Sequence, residues 1–219
     1  MSGWIGERVD AVIFDHDGTL VDSEPITLGV VAEMAVEAGA EVYPEDADRF
    51  VGADLHVVIE EIGRRSGSQI DLDPFLAEFR VRQTAGIEEG LLEVPGADEL
   101  LRALIERDVP IAVASNAPVA KMELCLGATR LDSYFAPGHL ISAYDVNLWK
   151  PDPAVFLRAA EVLGVDPSRA VVIEDSRPGL EGAIAAGTQV IALDPNDRFV
   201  DYPEIVRVDS LAAVGELLL

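Results

Sequence analysis

Short unbroken apolar runs, each stopped by polar residues, recur along the chain. Ala11-Val12-Ile13-Phe14 runs into Asp15, Ile111-Ala112-Val113-Ala114 into Ser115, and Ala170-Val171-Val172-Ile173 into Glu174. Four apolar residues without alternation fit strands buried on both faces, as in a parallel sheet. Val190 to Leu193 is a further such run, and Val206 and Val208 fit an edge strand. Between the runs, apolar residues follow helical spacing: Leu28, Val31, Ala32, Ala35 and Val36; Ala97, Leu100, Leu101, Leu104 and Ile105; Phe156, Ala159, Ala160 and Leu163; Leu180, Ala183 and Ile184. Pro25 stands near the start of the first helix, and Gly39, Gly164 and Gly187 close three of the four. This β-α-β alternation predicts an α/β fold with a doubly wound parallel sheet.

One stretch departs from the alternation. From about Ile26 to Val94 no strand is expected. Leu55, Val58, Ile59 and Ile62 form one helical face, and Asp73-Pro74 suits an N-cap with Pro at the first helical position, leading into Phe75, Leu76 and Phe79. The chain therefore divides into a core, residues 1–24 and 95–219, and a helical insertion, residues 25–94. An insertion leaving at the carboxyl rim of the first strand is expected to act as a lid.

Nearly half of the 219 residues are hydrophobic, which suits a folded core. No apolar stretch reaches the roughly 20 residues that span a bilayer, and no signal peptide is expected. A lone cysteine, Cys125, excludes an internal disulfide and suits a cytoplasmic location, with the thiol read as a small helix-face hydrophobe. The formal charge of −24 argues against binding nucleic-acid backbones. It also requires any site for an anion to be locally positive.

In an open α/β sheet, ligands bind outside the carboxyl ends of the strands. Asp15 and Asp17, Ser115 and Asn116, and Glu174 and Asp175 would share that rim. The chain has only two lysines, and Lys150 sits in the loop-like Trp149-Lys150-Pro151-Asp152-Pro153. Clustered carboxylates call for a hard divalent cation and an ammonium. The set fits phosphomonoester hydrolysis through an acyl phosphate, with Asp15 as nucleophile and Asp17 as acid and then base. Crowding by carboxylates is expected to raise the pKa of Asp17. Ser115, Asn116 and Lys150 are candidate phosphoryl contacts, and Asp15, Asp17, Glu174 and Asp175 are candidate Mg²⁺ ligands. His16, between the two acids, is read as a bystander whose side chain points away from theirs.

Asp15-His16-Asp17-Gly18-Thr19-Leu20-Val21-Asp22-Ser23, Ser115-Asn116, Lys150-Pro151-Asp152-Pro153 and Glu174-Asp175-Ser176 resemble, in order and spacing, the four motifs of the haloacid dehalogenase superfamily. The resemblance implies a Rossmann-like core, an inserted helical cap, and Mg²⁺-dependent phosphoryl transfer through Asp15. True dehalogenases of that superfamily lack the second motif aspartate, which Asp17 supplies here. Within the superfamily the chain is similar to the β-phosphoglucomutase branch, and Ser115 to Met122 together with Ser142 to Pro153 look most like bacterial 6-phosphogluconate phosphatases. The expected partner is a small phosphorylated metabolite, with no nucleic acid and no membrane, for a monomer. Arg49 and Lys121 are candidates to meet a substrate carboxylate, and the Phe50 to Asp54 turn is the expected cap loop. The alternatives are a sugar phosphomutase and a broad-range sugar or nucleotide phosphatase. Such mutases carry a His on the linker entering the cap and an Arg in the cap loop. Thr27 and Ala53-Asp54-Leu55 stand there instead.

Overall fold

Ala11–Phe14 form β1, and all four side chains are buried, as an apolar run without alternation requires. The protein is described by a computed structural model covering residues 9–43, 46, 55–203 and 205–219. Arg49, the Phe50–Asp54 turn and the Ala53-Asp54 pair of the mutase comparison lie outside the described residues. The chain divides into two compact units, one made of the chain up to Asp22 with Leu92–Leu219, the other of Ser23–Leu91.

The first unit holds a six-stranded sheet. Its strands are β1, β4 (Ile111–Ser115), β5 (Leu140–Ser142), β6 (Ala170–Glu174), β7 (Gln189–Leu193) and β8 (Val206–Val208), in the order β5-β4-β1-β6-β7-β8. Every pairing is parallel. From β1 the chain steps outward through β4 to β5, then returns to the other side of β1 for β6. That reversal is the topological switch point at which α/β sheets bind ligands. The sheet is the expected doubly wound one. β5 was not foreseen: Leu140, Ile141 and Ser142 are too few to show a period. The stretch read as free of strands contains half of a second, two-stranded sheet, in which β2 (Val21–Asp22) pairs antiparallel with β3 (Leu92–Glu93).

Helices α4 (Ala97–Glu106), α5 (Val119–Thr129), α6 (Ala143–Val146), α7 (Ala154–Leu163), α8 (Arg177–Ala185) and α9 (Leu211–Leu218) complete this unit. Ile13, Ala112, Ala114 and Val172 of the sheet share a buried cluster with Val155, Phe156, Ala159 and Ala160 of α7 and with Leu180 and Ala183 of α8. Alanines facing the sheet allow α7 and α8 a close approach, and Phe156 fills the space between. Cys125 is buried on α5, and burial pushes its thiol up to about 11 against the opposing pull of Lys121.

The second unit is helical. α1 (Glu24–Glu37), α2 (Leu55–Ser66) and α3 (Leu72–Gly90) bury a common cluster that includes Val31, Met34 and Ala35, Val58, Ile59 and Ile62, and Phe75 and Phe79. α3 starts two residues earlier than expected, with Asp71 rather than Asp73 as its N-cap. Pro74 then falls within the first turn, where its missing N–H has no intrahelical partner to lose. Val36 and Ile105, placed by their spacing on apolar faces, are exposed. Among the described residues no helix is long and apolar enough to cross a membrane.

Candidate active site

β1 and β6 run side by side to the switch point, and the pairing continues one residue further, with Asp15 N–H donating to Ile173 O at 2.9 Å. Asp15 and Glu174 thereby emerge next to each other, both buried. Lys150 Nζ reaches between them, donating to Asp15 Oδ1 and, at 2.7 Å, to Glu174 Oε1. The ammonium also lies 4.9 Å from the centroid of the Phe156 ring. Burial lowers the proton affinity of Lys150, but the two carboxylates outweigh it and hold the group above its ordinary value. For Asp15 the balance is reversed, and burial wins. Burial raises it, Lys150 lowers it and Glu174 raises it again, which leaves it pushed up to about 6.

Glu174 is fixed from the helix side. Its Oε2 accepts from Ser176 N at 2.7 Å and Ser176 Oγ at 2.9 Å, while the Ser176 hydroxyl accepts from Gly179 N at the start of α8. A Cβ on Gly179 would lie 1.6 Å from Glu174 Oε1, so only glycine lets the helix start against this carboxylate. Gly18 plays the same part for Asp175. Its φ of +82° turns the chain after Asp17, and a Cβ there would lie 2.4 Å from Asp175 Oδ2. Thr19 Oγ1 donates to Asp175 Oδ1 at 3.3 Å, and Arg198 Nη2 holds the Asp175 main-chain oxygen at 2.9 Å.

Asp15, Glu174 and Asp175 each offer an oxygen within 4.8 Å of the others. An all-oxygen, strongly anionic donor set at this spacing fits a hard divalent cation. Asp17, the fourth expected ligand, is not in this cluster. Its carboxylate turns to Lys121, whose Nζ lies 2.9 Å from Oδ1 and 3.0 Å from Oδ2. His16 is also against it, correcting the expectation that this ring points away: the fully buried His16 has Nδ1 3.3 Å from Asp17 Oδ2. The pKa expectation for Asp17 is corrected as well. Burial pushes it up, but His16 and Lys121 together outweigh burial and hold it well below the ordinary aspartate range. The motif spacing sets Asp17 beside other carboxylates, whereas the fold also brings it the Lys121 ammonium and the His16 ring.

On the other flank, β4 ends at the buried Ser115, whose Oγ accepts from Ala117 N at 3.0 Å and keeps its own proton free to donate. Asn116 Oδ1 accepts from Lys150 N at 2.9 Å, so the amide oxygen anchors the lysine loop and its NH₂ stays available. Ser142, paired with Ser115 in register, donates to Ala117 O at 2.7 Å and forms a capping box with Asp145. Ser142, Thr19 and Arg198 therefore hold the site; Thr19 and Ser142 stand in the motifs quoted above without a site role, and Arg198 stands in none. The capping-box spacing of Ser142 and Asp145 was the one available signal. Lys121 was singled out, but for a substrate carboxylate.

A family model described as haloacid dehalogenase-like hydrolase matches residues 9–187. The chain is 32% identical over 213 residues to 6-phosphogluconate phosphatase of Escherichia coli (strain K12), covering 96% of this chain and 95% of that protein. It is similar in structure to a HAD family hydrolase from Deinococcus radiodurans R1 solved with bound phosphate and sodium, at a TM-score of 0.70 and 34% identity over 84% of this chain and 80% of that one. A putative beta-phosphoglucomutase from Thermotoga maritima superposes with a TM-score of 0.81 at 26% identity, covering 95% of this chain and 100% of that one.

Proposed function

The chain belongs to the haloacid dehalogenase-like hydrolase family and is a phosphatase, and from that premise we propose that it hydrolyses small sugar or sugar-acid monophosphates, 6-phosphogluconate foremost, through Asp15. One observation carries the reading: a buried carboxylate at the switch point shares a buried lysine with Glu174 and lies in a three-carboxylate, all-oxygen cluster. A structural ion pair needs one carboxylate for one ammonium. Here three carboxylates share one ammonium, a surplus of negative charge that suits a divalent cation, and the phosphoryl group would bring the reacting atom.

The proposed chemistry has two halves. Asp15 attacks phosphorus through a carboxylate oxygen, the bond from phosphorus to the ester oxygen breaks, and the departing alkoxide takes a proton from Asp17. Water then attacks the acyl phosphate, Asp17 takes the proton of that water, and Asp15 is released with inorganic phosphate. Mg²⁺ is the ion proposed for the Asp15, Glu174 and Asp175 oxygens, where it would offset the clustered charge and draw electron density from the phosphoryl oxygens. Lys150 adds a fixed positive charge, and Ser115 Oγ and the Asn116 NH₂ are the neutral donors. In the resting site His16 and Lys121 hold Asp17 in its ionised form, the form required of the base. A phosphate dianion arriving beside it raises its proton affinity, as the donor half requires.

We assign substrate choice to the helical unit, Ser23–Leu91, as the cap of the resemblance. Water is the proposed acceptor. Thr27, which stands where the mutases carry a His, has its Oγ1 engaged by Gln83 Nε2 at 2.8 Å within the helical unit. The test is phosphate release over sugar, sugar-acid and nucleotide monophosphates, with Mg²⁺ and with EDTA, for the wild-type protein and Asp15→Asn. Release that needs both Mg²⁺ and Asp15 is expected. Undiminished turnover in EDTA, or by folded Asp15→Asn, overturns the mechanism. Conversion of β-glucose 1-phosphate to glucose 6-phosphate faster than phosphate release would favour a mutase.

A further inference from the structure

Both lysines of the chain, among 16 basic residues, are spent on carboxylates of the candidate site. Lys150 serves Asp15 and Glu174. Lys121, on the first turn of α5, bridges both oxygens of Asp17. The partners lie 104 residues apart, so the pairing is a product of the fold and not of local sequence. Neither side chain is fully exposed, with 24% of Lys121 and 30% of Asp17 accessible, so the contact is less screened than an ordinary surface pair.

We propose that Lys121 is a positioning residue for Asp17, an ammonium clamp that fixes where the acid of the reaction presents its carboxylate. The proposal rests on the phosphatase reading given above. A carboxylate beside a turn glycine has two soft side-chain torsions, and Asp17 precedes Gly18 at φ +82°. Proton transfer to a leaving oxygen needs the donor within hydrogen-bond reach of that oxygen, so an unrestrained rotamer costs rate. His16 borders the carboxylate on one side only, with Nδ1 3.3 Å from Oδ2. Lys121 can set the rotamer, since it touches both oxygens. A lysine also suits a clamp that must yield a proton-bearing oxygen to the substrate. Its rotatable point charge moves with the carboxylate, where a guanidinium would lock both oxygens in one plane. This role differs from a contact with a substrate carboxylate, because it acts on the leaving group of every substrate.

The test compares wild-type protein, Lys121→Ala and Lys121→Arg, with thermal unfolding to establish that each is folded. The substrates are 6-phosphogluconate, glucose 6-phosphate and p-nitrophenyl phosphate, and the readout is kcat/KM, which reports steps through departure of the leaving group. For Lys121→Ala, kcat/KM is expected to fall about tenfold or more on both sugar phosphates, a part of the 10²–10⁴ that acid catalysis supplies. On p-nitrophenyl phosphate, whose phenolate leaves without a proton, the fall should be no more than a third of that factor. Lys121→Arg should recover part of the loss on the sugar phosphates. A fall confined to 6-phosphogluconate would make Lys121 a substrate-carboxylate contact and overturn the proposal. An equal fall on all three would make it a general phosphate or structural residue, with the same consequence, as would no change at all. Wild-type protein inactive on every monophosphate, or active as Asp15→Asn, would instead overturn the phosphatase reading itself.

Discussion

Asp15 shows how an environment built for chemistry works against stability. Its carboxyl is pushed up to about 6 because burial outweighs the Lys150 charge and Glu174 adds repulsion. The folded protein therefore holds this proton more tightly than the unfolded chain, whose aspartates titrate near ~3.9. The associated stability is fully present below about pH 3.9 and is lost as pH rises through about 6. Asn mimics the protonated acid, so Asp15→Asn is expected to stabilise the metal-free protein at about pH 7.5, by up to about 3 kcal/mol, and to change it little near about pH 4. Thermal unfolding in EDTA at the two pH values checks this, and an equal effect at both would show that the ionised carboxylate is not the destabilising form. Mg²⁺ should raise the wild-type Tm at neutral pH and leave Asp15→Asn nearly unmoved, a readout independent of turnover. Asp17 is the opposite case. The sequence pattern sets it among acids, and the fold adds an ammonium 104 residues away, because the distance from Lys121 to Asp17 depends on how α5 follows β4. No local pattern encodes that distance.

At the scale of elements, the strands were the most legible part. A run such as Val171-Val172-Ile173 can only be buried, and its polar end marks the rim. Helix faces were legible less sharply: Val36 continues an apolar spacing yet is exposed, because the α1 face that packs on α2 and α3 is narrower than its apolar stripe. β5, β2 and β3 were not legible, since two or three residues carry no period and their pairing is supplied by partners distant in sequence. The junction of β6 and α8 carries the next prediction. Glu174 ends the strand, Ser176 caps the helix, and Gly179 is the residue that lets the two meet. Gly179→Ala puts a methyl where Glu174 Oε1 lies, so the carboxylate must leave Lys150 or the helix must shift. Turnover is expected to fall by at least about 100-fold, the scale of loss that a misplacement of about 1 Å at the reacting centre causes, with a lowered Tm and a weaker Mg²⁺-induced rise in Tm. Gly29→Ala, where a Cβ meets nothing within 4 Å, is the control and should leave turnover unchanged and Tm unchanged or slightly raised, since alanine suits a helix interior better than glycine. If Gly179→Ala behaves like the control, the contact with Glu174 is not what demands glycine.

The whole molecule carries a formal charge of −24, and its substrates, on the reading above, are anions. Within the site the balance is different. Lys150 and Lys121 stand among the acids, and the proposed cation would add to them, so the local field that receives phosphate is less negative than the surface around it. An approaching phosphate is then repelled at long range and attracted only within the last several ångströms. Salt screens the long-range part more than the short, because the Debye length falls from about 30 Å at 0.01 M to about 8 Å at 0.15 M. Enzymes that steer their substrates lose kcat/KM as salt is added. This protein should do the reverse. With Mg²⁺ held saturating, kcat/KM for 6-phosphogluconate is expected to rise severalfold between about 0.01 and about 0.15 M of an inert monovalent salt. Glucose 6-phosphate, with one negative charge fewer, should rise less. The same screening relaxes repulsion among the surface acids, so Tm should increase over the same range. Stopped or steady-state assays at matched Mg²⁺ activity, run beside thermal unfolding, separate the two effects. A kcat/KM that falls with salt while Tm rises would show that the charges around the site steer anions inward despite the net charge. The rim of the sheet, with its two lysines, would then govern encounter as well as chemistry.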